Sequence, residues 1–188
     1  MGDPASKRAT LADLDALPPS VAGELIQGVL HTMTRPRARH RSAGTILAGD
    51  INGPYQRGRG GPGGWWILGE SGIQHLALDV EEISPEVAGW RRERMPELPD
   101  EKSIGVVPDW VCEVLSRTTR VHDLKLKRPL YARMGVTWMW IVDVAAKTLV
   151  ASRNVDGKWL ELATYSDDDV VRIEPFDAID IHLADLWG

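Results

Sequence analysis

The run from Pro108 to Asp143, PDWVCEVLSRTTRVHDLKLKRPLYARMGVTWMWIVD, constrains the fold more than any other stretch, because it reads as strand, basic helix and strand in immediate succession. Side chains alternate along an extended strand, which puts Asp109, Val111, Glu113 and Leu115 on one face and Trp110, Cys112 and Val114 on the other. A carboxylate therefore stands mid-strand among apolar neighbours. Burying it unpaired is costly enough that Glu113 must be neutralised, paired with a cation or bound to a metal, and Lys127 or a divalent ion answers that need. Asp123, Lys127 and Tyr131 recur at every fourth residue, one helical stripe with the Asp-to-Lys order that favours an ion pair. The same spacing describes a solvated ion-pair face, and spacing alone leaves both readings open. Pro129 removes a backbone donor and crowds the turn before it, so the helix is expected to kink there or start anew.

A chain of 188 residues fits a single domain spanning 1–188 with one substantial core. Hydrophobic residues at 43% and charged residues at 26% are ordinary for a globular protein and suggest neither disorder nor membrane residence. No apolar run approaches a membrane span, and the opening MGDPASKRATLADL lacks an apolar leader core, so a cytoplasmic protein is expected. The lone cysteine, Cys112, cannot form an internal disulfide and reads as a buried small apolar residue rather than a nucleophile. A net charge of -5 argues against coating nucleic acid, but basic residues gather at Arg35 to Arg41, Arg91 to Arg94 and Arg117 to Arg133. These clusters suit either a local phosphate-binding face or solubilising surface charge.

Elsewhere, Leu11, Leu14 and Leu17 at helical spacing, with Thr10 before them and Pro18-Pro19 after, predict a short capped helix. GELIQGVLHTM predicts paired strands about Gly28 that end at the basic turn, and His40 to Tyr55 a helix facing a sheet through Ile46, Leu47 and Ile51. Gly58 to Gly64 lack a phosphate-loop ending and read as a flexible connection. WWILGESGIQHLALDV alternates as one strand or a hairpin, and ISPEVAGW reads as a strand beginning near Ser84-Pro85. Arg91 to Ser103 is expected as a surface loop, and TLVASR and KWLELATYS as antiparallel strands around Asn154 to Gly157. Eight tryptophans against one phenylalanine, with exposed Trp beside Arg common at interfaces, suggest a homodimer.

Taken in order, TLADLDALP, GELIQGVLHTM, GPGGWWILGE, PEVAGWRRERMPELP, PDWVCEVLS and DLKLKRPLYARMGVTWMWIVD resemble the Uma family of bacterial restriction-endonuclease-like proteins, a former domain of unknown function. That family is similar to the PD-(D/E)xK nuclease superfamily. The resemblance implies an α/β (α+β) fold with a restriction-endonuclease-like core, a central mixed sheet flanked by helices, and additional antiparallel strands. It also implies a DNA endonuclease using Mg²⁺, or Mn²⁺. The family's first acidic site falls on Pro85-Glu86, where Glu replaces the usual Asp and is one methylene longer; the literal Pro108-Asp109 lies too near Glu113 on one strand to serve. The second acidic site falls on Glu113. The lysine usual two residues later is replaced by Leu115, which implies a migrated lysine from the pattern matching Asp123, Lys127 and Tyr131. Glu86 and Glu113 are thus implied as metal ligands and Lys127 as the residue assisting water attack. Glu24 falls on a further recurrent acid, a metal or water ligand unless it is an exposed partner for a basic residue, and His40 on a recurrent histidine suited to capping or packing. A catalytically silent nucleic-acid-binding or assembly module, or a purely structural interaction domain, stands as the alternative.

Overall fold

The computed structural model describes residues 7–34 and 38–188. The first six residues of the opening segment and the Arg35 to Arg37 part of the basic turn lie outside the described residues. At the start, Thr10 caps α1 (Leu11–Asp15): its hydroxyl accepts from the Asp13 amide while the Asp13 carboxylate accepts from the Thr10 amide. Strands β1 (Val21–Ile26) and β2 (Val29–Thr34) form the expected hairpin. Its two-residue turn, Gln27 and Gly28, has φ of 54° and 71°, the left-handed backbone that matches hairpin twist. Helix α2 (Ala38–Ile51) runs on into a π-helical turn at Asn52–Gln56 and buries Ala43, Leu47 and Ile51.

The next stretch departs from expectation. WWILGESGIQHLALDV is neither one strand nor a hairpin: β3 (Trp65–Gly69) and β4 (Gly72–His75) join different sheets. Glu70, at φ 46°, turns the chain between them. The alternation looked continuous because each strand fills a core of its own, Ile67 in one and Ile73 in the other. β5 (Val80–Ile83) and β6 (Val87–Arg91) are separated by Ser84-Pro85-Glu86, so the strand expected to begin near Ser84-Pro85 begins after the proline. The chain continues through β7 (Ser103–Ile104), β8 (Trp110–Leu115), α3 (Arg120–His122), a π-helical turn at Asp123–Lys127, α4 (Arg128–Met134), β9 (Trp138–Asp143), β10 (Thr148–Val155), β11 (Lys158–Ser166), β12 (Val170–Val171) and β13 (Ile181–His182).

The larger sheet has the order β11-β10-β9-β8-β6-β3, and within it only β8 and β9 are parallel. Their crossover is the helical segment 120–134, as the Pro108–Asp143 run predicts. A smaller sheet, β2-β1-β5-β4-β7, packs against one face. This is the expected mixed α/β (α+β) class, a central mixed sheet with helices and additional antiparallel strands. Alternation along β8 divides the two cores: Trp110, Cys112 and Val114 pack with α2 and the C-terminal segment, and Val111 and Leu115 with α4 and the smaller sheet. Each fully buried aliphatic side chain there contributes roughly 1.5–3 kcal/mol.

The crossover helix starts anew at Pro129, one of the two outcomes the sequence predicts. The turn before it widens, with the Arg128 amide donating to the Asp123 carbonyl five residues back, and α4 starts afresh with proline in its first turn. The homodimer draws no support from exposed tryptophans. Among the described residues none is an exposed large hydrophobic, and the arginines beside them are intramolecular partners, Arg91 over Trp65 and Trp138 and Arg92 over Trp66 at 3.9 Å. No helix among the described residues is long and apolar enough to cross a membrane.

Candidate active site

Three elements converge on Lys127. Glu24 projects from the buried half of β1, Glu113 from the middle of β8, and Lys127 ends the widened turn ahead of Pro129. The ammonium lies 3.0 Å from Glu24 Oε1 and 2.8 Å from Glu113 Oε1, and donates to the Ser84 carbonyl at 2.8 Å. Its three donors are therefore all used. Tyr131, one turn on, donates its hydroxyl to the same Glu113 oxygen at 2.8 Å. Glu24 accepts from the Ser84 amide at 2.9 Å through Oε1, and its Oε2 lies 2.6 Å from His122 Nε2. Glu24, Glu113, Asp123 and Lys127 are all at least 96% buried, so the solvated ion-pair face is excluded, and so is the exposed reading of Glu24.

The two carboxylates that share the ammonium differ in charge stability. Burial would raise the Glu24 carboxyl, but Lys127, His122 and the Ser84 amide reverse it and hold the group at about 2. Burial dominates at Glu113 and pushes it up to about 8; Lys127 opposes this, while Asp123 and Glu24 add to it. Asp123 is raised by burial as well. Burial disfavours a charged Lys127, yet Glu113, Glu24 and Asp123 together hold its pKa above the ordinary lysine value. One lysine cannot neutralise three buried carboxylates, and burial with the neighbouring acids favours the protonated form of Glu113.

Glu86 and His40 form a second group. The register pairs Val87 with Cys112, which places Glu86 directly beyond that pair, opposite Glu113. Its carboxylate turns toward α2, where a Cβ on Gly44 would lie 2.8 Å from its Cγ. His40 Nδ1 is 3.5 Å from Glu86 Oε2, and His40 Nε2 hydrogen-bonds the Val114 carbonyl. Both groups line one cavity of about 450 Å³ that also reaches Glu82 and Asp123. The decoy Asp109 points elsewhere, binding the Arg91 amide and Arg94 at 2.9 Å each. Cys112 is fully buried and its thiol is pushed up, as its apolar reading requires.

The structure thus gathers Glu24, Glu113, Lys127 and Tyr131 into one bonded cluster, with Asp123 beside it, and sets Glu86 and His40 apart on the same cavity. His122 and the backbone of Ser84 joined the cluster without a sequence signal, since neither has a spacing that marks it. The surplus of carboxylates over lysines in the cavity suits a hard divalent cation in charge and donor type. Among the described residues no three His, Cys, Asp or Glu side chains stand together as a ready metal site, and Lys127 bridges Glu24 and Glu113.

The sequence matches the pattern of the Uma2 family, described as "putative restriction endonuclease", over residues 11–184. It matches no curated protein. Among solved structures it is similar to a protein from Anabaena variabilis ATCC 29413 described as "a putative nuclease belonging to DUF820", at 19% identity and a TM-score of 0.73. That likeness covers 95% of this chain and 97% of the other.

Proposed function

Because the chain belongs to the Uma2 family, "putative restriction endonuclease", we propose that it is a metal-dependent endonuclease that hydrolyses phosphodiester bonds in DNA. The observation that carries this reading is a buried ammonium 3.0 Å and 2.8 Å from carboxylates of two different strands, on a cavity lined by more carboxylates than lysines. Glu86 and Glu113 would hold the Mg²⁺ or Mn²⁺ ion. When bound, such an ion offsets charge on the phosphate and acidifies water in its shell.

The remaining roles belong to this chain's own groups. Lys127 orients the attacking water or donates to the phosphate oxygen that gains charge. To do so it must release one of its three partners, and Glu113 is the one whose charge is least stabilised. Glu24, fixed by the Ser84 amide and His122, keeps the ammonium in place meanwhile. Tyr131 orients the Glu113 carboxyl, and Asp123 adds negative charge that keeps Lys127 protonated. We assign the working form to a homodimer, since cutting both strands calls for two such sites.

One observation favours a second reading, a catalytically silent nucleic-acid-binding module: the longer side chain at Glu86 is engaged with His40 rather than with Glu113. Glu86→Asp separates the two. An adapted ligand loses DNA cleavage in Mg²⁺ or Mn²⁺ when shortened, whereas a silenced site gains cleavage or stays inert.

A further inference from the structure

His40 is held in a way that packing alone does not require. A carbonyl oxygen only accepts, so the bond to Val114 fixes the Nε2 proton and turns Nδ1 toward Glu86. Nδ1 is buried without a hydrogen-bond partner and faces Glu86 Oε2 across 3.5 Å. That gap exceeds the roughly 2.9 Å of an N–H···O bond. Neighbouring ligand atoms at about 2.1 Å from one octahedral ion stand about 3.0 Å apart, so the pair would close by about half an ångström on binding. A second ring nitrogen donating to a backbone carbonyl is also the usual arrangement of a metal-binding histidine.

The space for this pair is made by α2 itself. Gly44 follows His40 by one turn on the same face, and any Cβ there would fall 2.8 Å from Glu86 Cγ and 2.9 Å from its Oε1. The glycine is thus the cradle that lets the carboxylate lie beside the ring.

We propose that His40 Nδ1 and Glu86 together ligate the divalent ion, giving this site a mixed nitrogen and oxygen donor set that favours Mn²⁺ and later first-row ions over Mg²⁺. The inference rests on the reading of Glu86 as a metal ligand, and it adds the ring and the choice of ion. Mg²⁺ is a hard ion that prefers oxygen alone, while imidazole raises affinity for ions that accept nitrogen.

The test uses the full-length protein and Mn²⁺ alone, read by electron paramagnetic resonance with spin-echo detection of nitrogen. In protein carrying ¹⁴N- or ¹⁵N-histidine, the expected result is saturable binding with a directly bound nitrogen that changes with the isotope. The nitrogen signal should vanish in His40→Gln and persist in His122→Gln. Mn²⁺ affinity should fall about tenfold or more in His40→Gln, and Mg²⁺ affinity, read by competition, by less than about threefold. Should His40→Gln fail to fold, Gly44→Ala keeps every histidine, fills the cradle and should lose the same signal. An oxygen-only signal, a nitrogen signal surviving in a folded His40→Gln protein, or no saturable binding overturns the proposal. No cleavage enters this experiment, so the two readings fail separately. Nitrogen-bound Mn²⁺ in a protein that cuts no DNA refutes the nuclease alone, and cleavage with an oxygen-only site refutes this inference alone.

Discussion

Glu24 and Glu113 touch the same ammonium and shift in opposite directions, which shows that a charge pair is decided by everything else around it. Glu24 has an imidazole and a backbone amide besides Lys127, whereas Glu113 has a phenol and two carboxylates nearby. The stability effect of Glu24 follows by linkage. Its folded pKa of about 2 lies below the ordinary 4.5, so its contribution is present above 4.5 and is lost as pH falls toward 2. Glu24→Gln should therefore be destabilised near neutral pH by an amount on the order of 3 kcal/mol. Its gap to wild type should close across that acid window in denaturant melts, and a gap independent of pH would contradict the assignment. Lys127 carries stability as well as chemistry. Lys127→Met leaves two buried carboxylates without their cation and should cost about 3–5 kcal/mol at neutral pH. A loss of cleavage in that variant must accordingly be judged on folded protein, by comparing melts and rates in one preparation.

The elements that place these residues were legible to different degrees. The strand–helix–strand run was readable because alternation and a helical stripe are strong local signals, and the structure returns its element order and the two faces of β8. Glu113 and Lys127 were legible for the same reason, a carboxylate in an apolar strand and a lysine on the next helix. The split between β3 and β4 was not, since nothing in an alternating run says which sheet each half joins, and Glu70 is an unusual residue for a left-handed turn. His122 was invisible because its partner, Glu24, lies 98 residues away. Gly44 gives an element-scale prediction. Gly44→Ala puts a methyl group into the Glu86 carboxylate without touching Glu113 or Lys127. Metal-dependent cleavage should fall about tenfold or more while the thermal midpoint moves by only a few degrees. A wild-type rate in that variant would place Glu86 outside the site.

At the scale of the whole molecule, the larger sheet is covered on both faces, and its tryptophans serve the interior rather than a partner. Trp90, Trp140 and Trp66 each donate the ring N–H to a backbone carbonyl, of Val106, Glu174 and Met95, which is how large aromatics with a polar edge are buried without penalty. The dimer proposed above consequently rests on the demand of double-strand cutting, and sedimentation at micromolar concentration should show two copies; a monomer would contradict it. The central claim is that Glu86, Glu113 and Lys127 act as one unit on DNA. Its most direct test compares duplex cleavage by wild type and Glu113→Gln with divalent ion present and removed by chelation. The account predicts cleavage by the wild type that disappears on chelation, and a Glu113→Gln protein that folds but cuts slower by roughly two to four powers of ten. Equal cleavage by the two proteins would contradict it.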